Sequence, residues 1–215
     1  MAVRAGINYA FIEAADSRIK TYPFLQHRNL SFKSQILELE MAYELNFFKY
    51  STTDSKHRWS PYIFGGASLF YFDPYVKVNG DKYKLESIGT EGQKSSNNLT
   101  KNRGYNQYSF AIAYGGGIKC AINQNWAFNV ELSSRYVFTD YLDDVSGNYP
   151  DVTDVTYMAN GVNIGALLYD RSPEVGPKIG VMDKQRGTSQ DKDRFLFLGV
   201  TLTYTIVNIK CPKPL

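Results

Sequence analysis

WAFNVELSSRYVFTDYLDDVSG, residues Trp126 to Gly147, decides how the chain is read. Trp126, Phe128, Val130, Leu132, Tyr136 and Phe138 share one face of a period-two repeat, with Ser134 as its polar member. Ala127, Asn129, Glu131, Ser133, Arg135 and Thr139 make up most of the other face. Strict alternation of this kind marks a β-strand lying between an apolar and a polar environment. The run outlasts the ~5–6 residues of an ordinary globular strand. It suits a tilted strand crossing a bilayer, which takes roughly 9–11 residues. Trp126 stands at one end and Tyr136, Phe138 and Tyr141 at the other, where the aromatic girdles of a membrane barrel lie. Beyond Thr139 the pattern dissolves into an acidic, turn-rich segment, Asp140 to Gly147. The stretch reads as a transmembrane strand opening into a loop.

The alternation recurs along the chain. From Ala2 to Ile12, Val3, Ala5, Ile7, Tyr9 and Phe11 oppose Arg4 and Asn8. From Ser34 to Phe48, Leu37, Leu39, Met41, Tyr43, Leu45 and Phe47 oppose Glu38, Glu40, Ala42, Glu44 and Asn46. From Gln107 to Ala121, Phe110, Ile112, Tyr114 and Ile118 oppose Ala111, Ala113, Gly115, Gly117 and Lys119. From Arg194 to Val207, Leu196, Leu198, Val200, Leu202, Tyr204 and Ile206 oppose Phe197, Gly199, Thr201, Thr203 and Thr205. Pro61 to Phe72 is apolar or small on both faces, so the pattern does not assign its inside; Gly65 and Gly66 mark a bend or a close strand approach. Segments 14–30, 73–106 and 140–193 read as loops, the second of them exposed. Within the third, Met158 to Tyr169 reads as either a short helix or a loop strand.

The connections after the first, third and fifth strands are long, and those after the second and fourth are shorter. Bacterial barrels pair long extracellular loops with short periplasmic turns, whereas a soluble β-sandwich has no reason to sort its loops. The expected architecture is all-β: a single outer-membrane domain over 1–215, a small antiparallel transmembrane β-barrel of about eight strands in full. Six strands are visible. A first hairpin and an export signal are expected before Met1, since Met1 to Phe11 already alternates and shows no charged n-region followed by an apolar h-region. Closure by another chain is the alternative. The inward set is Arg4, Glu38, Glu40, Glu44, Lys119, Glu131 and Arg135. Narrow barrels fill their interiors with side chains, and buried charges must pair. Mixed signs therefore predict a salt-bridged, plugged lumen rather than a pore.

Composition agrees. Seventeen Tyr and thirteen Phe favour strands. A mean hydropathy of −0.35 goes with apolar runs far below the ~18 residues of a spanning helix, which leaves a barrel open. A net charge of +3 without a basic block gives no nucleic-acid footprint. His27 and His57 lie far apart, no Cys–His spacing suggests zinc, and no cofactor is expected. Gly66 to Phe70 lacks the second glycine of a nucleophile elbow. Asp140, Asp143 and Asp144 form the suggestive carboxylate group. With His27 the latter two would serve an omptin-like surface protease, and all three could hold calcium. An acidic loop is ordinarily solvated, so the non-enzymatic reading is preferred. Cys120 and Cys211 fall at the predicted periplasmic end, where a disulfide is permitted; two free thiols are the other reading.

Thr139-Asp140-Tyr141-Leu142-Asp143-Asp144-Val145-Ser146-Gly147 resembles the signature of PorG-like outer-membrane β-barrels of the type IX secretion system, a DUF6089-like family. Arg28 to Phe32, Glu44 to Phe48, Pro61 to Gly66, Phe70 to Pro74, Gly89 to Gln93 and Lys210-Cys211-Pro212 are similar too, in order from about residue 28 to the end. The signal peptide and first strands expected of the family have no counterpart in this sequence. The resemblance implies a non-enzymatic outer-membrane component that anchors the periplasmic ring of the secretion machine. Its partners would be outer-membrane lipid, the ring lipoprotein of the PorK or GldK type and that lipoprotein's ring partner, with no small-molecule substrate. The system exports proteins and, in gliding bacteria, supports motility. Contacts would lie on the periplasmic face, at Lys49 to Trp59, Ala121 to Asn125 and Asn208 to Leu215. A purely structural barrel of the OmpA or OmpX kind is the remaining alternative.

Overall fold

An apolar side chain at every second position can be sorted to one side only by an extended chain, because a helix repeats every 3.6 residues. The computed structural model, which describes residues 1–94, 104–188 and 192–206, follows that rule. In chain order its elements are β1 (Ala2–Ala15), α1 (Pro23–Arg28), β2 (Ser31–Asn46), β3 (Trp59–Val78), β4 (Asp81–Lys84) and α2 (Leu85–Ile88). There follow β5 (Tyr108–Ala121), β6 (Trp126–Val137), the two-residue strands β7 (Met158–Ala159) and β8 (Val162–Asn163), α3 (Ile164–Tyr169) and β9 (Arg194–Tyr204). No described helix is long and apolar enough to cross a membrane.

The long strands form one antiparallel sheet in the order β1-β2-β3-β5-β6-β9, with β4 folded back on the end of β3. The sheet curls into a half-barrel. One row of paired residues shows why it curls: Arg4, Ala42, Gly66, Ala113, Arg135 and Phe195 lie side by side across all six long strands. Small residues fill the middle of the row and large ones its ends, so the concave face can close on itself. A Cβ on Gly66 would meet the Met41 carbonyl and Ala42; one on Gly115 would meet the Leu132 carbonyl, Ser133 and the Phe64 ring. β1 and β9 are not paired with each other among the described strands. A cavity of about 870 Å3 on the concave face opens toward both edges, lined by Arg4 to Tyr9 and Phe197 to Thr201 and, deeper, by Glu40, Glu44, Lys119, Glu131 and Arg135.

The two faces differ in chemistry. Val3, Ile7, Leu39, Met41, Ile112, Ile118, Val130, Leu132, Leu198 and Val200 stand exposed on the convex face, while Glu38, Glu40, Glu44 and Arg135 are buried on the concave one. The structure also gives β3 the sidedness its sequence lacked: Tyr62, Phe64, Phe70 and Phe72 are buried, Ile63 and Leu69 exposed. Exposed aromatics gather at both ends, Phe47, Phe48, Trp59, Trp126 and Tyr204 near the short connections and Tyr9, Phe11, Tyr108, Phe110 and Phe138 near the long ones.

The segment 73–106, expected to be an exposed loop, is instead partly folded. β3 continues to Val78, then β4 and α2 follow, and Tyr75, Val76, Leu85, Ile88, Thr90 and Glu91 are buried. The physical reason is a second core: Val76, Leu85 and Ile88 pack against Tyr149, Val155, Ile164, Leu168 and Tyr169 from the third long connection. Met158 to Tyr169 is a hairpin and a helix at once, β7-β8 running into α3. The first strand runs past Ile12 to Ala15, the second begins at Ser31 and ends at Asn46, and the first connection contains α1.

Gly115→Val forces a branched side chain into the contact of β5 with β6. It is expected to cost about 1–3 kcal/mol, as overpacking does, and to lower the denaturation midpoint. Valine at the exposed Gly65, where an added Cβ meets nothing within 4 Å, serves as the control.

Candidate functional site in the lumen and its cap

Side chains from five strands converge on the concave face. Arg4 on β1 binds Glu40 on β2 at 2.9 Å and Glu131 on β6 at 2.5 Å. Arg135 on β6 binds Glu38 at 2.7 Å and also Glu40. Asn8 donates to Glu38 at 2.9 Å, and the Tyr62 hydroxyl donates to Glu131 at 2.7 Å. Lys119 on β5 pairs with Glu44 and lies 4.6 Å from the Tyr62 ring centre. The Arg4 guanidinium sits 3.8 Å over Phe64. All seven charged residues picked out by alternation therefore meet, and the chain runs unbroken from Asn8 through Glu38, Arg135, Glu40 and Arg4 to Glu131 and Tyr62. Arg135 is 2% exposed and Glu38 0%, so each depends on the other for compensation of its charge. Such an arrangement ties the strands to one another across the concave face.

Toward the long connections the lumen turns apolar. Ile36, Phe70, Phe72, Ala111, Val137 and Phe195 form a layer, and Leu142 from the Thr139–Gly147 loop enters it from above. Tyr105 stacks between Phe72, 6.0 Å away, and Tyr141, 4.7 Å away. The loop thus turns into the mouth of the half-barrel. Asp144, in the left-handed region at φ 61, is 0% exposed and accepts from Thr90, from Gln93 at 3.1 Å and from Tyr105 at 2.8 Å.

Above this layer all three long connections are joined by one arginine. Arg186 is buried, pairs with Glu91, and donates to the carbonyls of Asp144 at 2.6 Å and Tyr169 at 3.1 Å. Its own carbonyl accepts from Arg28 at 2.5 Å, and Arg28 is bound to Asp16 at 2.7 Å. With the second core these contacts make a folded cap.

The acidic loop is therefore not the solvated segment its composition suggested. Asp140 and Asp144 are both buried; Thr90, Gln93 and Tyr105 donate to the Asp144 carboxylate and Arg186 to its carbonyl. The Asp143 side chain accepts from the backbone of Val145 at 2.9 Å, and Asp193 accepts from that of Leu142 at 3.0 Å. The structure does not hydrogen-bond His27 to these carboxylates: its Nε2 lies 2.7 Å from the Pro177 carbonyl oxygen. His57 lies at the opposite end, 2.7 Å from Asp54. Among the described residues no three His, Cys, Asp or Glu side chains converge as metal ligands would. Cys120 forms no disulfide there; Cys211, with which a bridge was an expectation, lies outside the described residues.

Sequence reasoning missed Arg186, Glu91, Tyr105 and Tyr62. Arg186 sits in a charged, Gly-containing run that looks solvated, and no periodicity marks it. Tyr62 was within reach, because the alternation of β3 needed only one neighbour of known facing.

Burial pushes the Asp144 carboxyl up to about 7, with Arg186 drawing it back and Glu91 adding to the rise. Burial likewise raises Asp193 to about 6, and raises Asp143, beside Asp193, well above its ordinary range. An acid whose pKa rises on folding favours the fold below its unfolded pKa, near 4, and that stabilisation is lost as pH climbs through the folded value. The cap is expected to be tightest near pH 4, to loosen up to about pH 7, and to change little beyond. Amide hydrogen exchange of residues 140–147 at pH 5 and pH 8, corrected for intrinsic rates, checks this. Asp144→Asn should flatten part of the slope.

In the lumen, Arg135→Ala leaves Glu38 and Glu40 without their buried partner and is expected to cost about 3–5 kcal/mol, read as a fall in the denaturation midpoint. Arg4→Ala, at a site more open to solvent, should cost less.

The model of a family described as a domain of unknown function, DUF6089, covers residues 1–164. No curated protein and no solved structure matches the chain.

Proposed function

Starting from a chain that belongs to the DUF6089 family, we propose that it is an outer-membrane β-barrel of the PorG-like kind, a non-enzymatic component of the type IX secretion system. The observation that carries the barrel is the exposed convex face. Leu39, Met41, Ile112, Leu132, Leu198 and Val200 form part of an apolar surface spread over the long strands, and an extended exposed apolar face marks a partner or membrane surface. A lipid environment accounts for it, and the aromatics at both ends of the strands sit where interfacial girdles would.

The secretion role rests on the ordered set of motifs, above all Thr139 to Gly147, whose residues plug the barrel mouth. The Arg135–Glu38–Glu40 cluster ties strands to one another across the concave face, as the wall of an anchor needs. Attachment to a periplasmic ring lipoprotein of the PorK or GldK type would use the short-turn end, Lys49 to Trp59 and Ala121 to Asn125. The tail Asn208 to Leu215, expected on the same face, lies outside the described residues.

A tagged, full-length protein drawn in detergent from native outer membranes should bring the ring lipoprotein with it in near-stoichiometric amount. Charge reversal at Lys49, Lys56 and Arg58 should reduce that recovery several-fold. Recovery of the barrel alone would reject the anchor and leave a structural barrel of the OmpA or OmpX kind.

A further inference from the structure

The convex face changes character at its long-connection end. In the paired register Tyr9, Leu37, Tyr71 and Tyr108 form one row, and Phe11, Gln35 and Asp73 the next. The row after that holds Glu13, Lys33, Tyr75 and Lys84, and the last sets Lys77 opposite Lys82. Positions two apart along a strand share a face, so the lysines lie on the same side as exposed Tyr9, Leu37 and Leu39. Lys33, Lys77, Lys82 and Lys84 are themselves exposed. The turn between β3 and β4 fixes the last row. Asn79 and Gly80 are both left-handed, at φ 53 and φ 93, as a two-residue hairpin turn requires.

Like charges directly opposite one another weaken a sheet. The neighbouring lysines have acids to offset them. Lys33 pairs with Glu13 at 2.8 Å, which Arg18 also binds at 2.7 Å. Lys84 pairs with Asp73 at 2.8 Å and is also drawn by Glu86. Among the described residues no carboxylate forms an ion pair with Lys77 or Lys82. Asp81, beside Lys82 in sequence, belongs by alternation to the other face. The Lys82 ammonium is held 3.9 Å from the centre of the Tyr75 ring, which steadies it without neutralising it.

We propose that Lys77 and Lys82, flanked by Lys33 and Lys84, bind the phosphate group of an anionic membrane lipid in the leaflet at the long-connection end. A phosphate accepts charge-assisted hydrogen bonds from both ammonium groups at once and so relieves their repulsion. Height agrees. If Phe11 marks the hydrocarbon boundary, Lys33 and Lys84 stand one row beyond it and Lys77 and Lys82 two rows. At ~3.3 Å per residue and a tilt of ~35–45°, those rows rise about 5 Å and about 10 Å. A headgroup layer is roughly 5–7 Å thick, and lysine stems reach across the difference. Continuity favours a lipid over an acidic protein segment. The apolar rows directly below, with Leu37, Tyr9 and Tyr108 exposed, accept its acyl chains, whereas an acidic segment would leave them uncovered. The proposal rests on the barrel reading and not on the secretion role.

The test uses the full-length protein from native outer membranes, reconstituted into vesicles of phosphatidylcholine mixed with phosphatidylglycerol. After re-extraction, native mass spectrometry reads the lipid that stays bound. Phosphatidylglycerol should be enriched several-fold over its share of the vesicle. The double variant Lys77→Gln/Lys82→Gln should lose that enrichment, and Lys184→Gln, on the third long connection, should keep it. Lys77→Glu separates recognition from folding. It sets opposite charges across the turn, so it should raise the denaturation midpoint in neutral detergent and still abolish the enrichment. Equal enrichment in the wild type and the double variant would overturn the site. So would a rise in the midpoint with inorganic phosphate alone that matches the rise with the lipid, because the ligand would then be a free anion. Capture of an acidic protein through these lysines without enrichment of the lipid would overturn it as well. Failure to enter phosphatidylcholine vesicles would reject the barrel reading and the site with it, whereas entry without a lipid preference rejects the site alone.

Discussion

The fold depends on charges that must find one another across the lumen. Arg4 and Arg135 are held on strands at opposite sides of the curl, and the carboxylates of Glu38, Glu40 and Glu131 lie between them. An isolated ionised group in such a place costs several kcal/mol, whereas a compensated one is tolerated. The sheet therefore has a preferred radius: too flat, and Arg4 loses Glu131; too tight, and the side chains no longer fit. The small residues Ala42, Gly66 and Ala113 on the same row give the bend, and the charges set how far it goes.

That constraint explains why the strands were legible and the cap was not. A strand carries its own sidedness in a period of two, so Glu38, Glu40, Glu44 and Glu131 could be assigned to one face from their apolar neighbours alone. Once they shared a face, pairing with Arg4, Lys119 and Arg135 followed from the cost of a buried charge. β3 resisted because both of its faces are apolar or small, and only its neighbours in the sheet tell Phe64 from Ile63. The cap has no period at all. Its contacts join residues such as Glu91 and Arg186, which are 95 positions apart, and neither segment looks buried by composition. The acidic loop was noticed for its carboxylates, but its partners Thr90 and Tyr105 carry no local signal.

Two layers with different physics result. In the strands the polar network sits inside and the apolar surface outside, reversed from a water-soluble sandwich. In the cap the ordinary order returns, with Val76, Ile88, Tyr149, Val155 and Leu168 inside. Leu142 joins the layers, since it belongs to the loop by sequence and to the strand interior by packing. The tight coupling of Asp144 to Thr90, Gln93 and Tyr105 keeps that loop from swinging out of the mouth.

The place of Arg186 in the chain gives the fold an order of assembly. It lies a few residues before β9, and its partners Glu91 and Asp144 belong to segments synthesised earlier. Backbone hydrogen bonds from Arg186 and Gly187 to the Gly147 carbonyl hold the arginine in the cap, and until that segment arrives both acidic segments lack their cation. Closing so long a loop is the slow part of such a topology. A sealed cap is thus a record that the third connection has folded back, and a chain stalled before that step displays an open, acidic mouth by which unfinished molecules differ from finished ones.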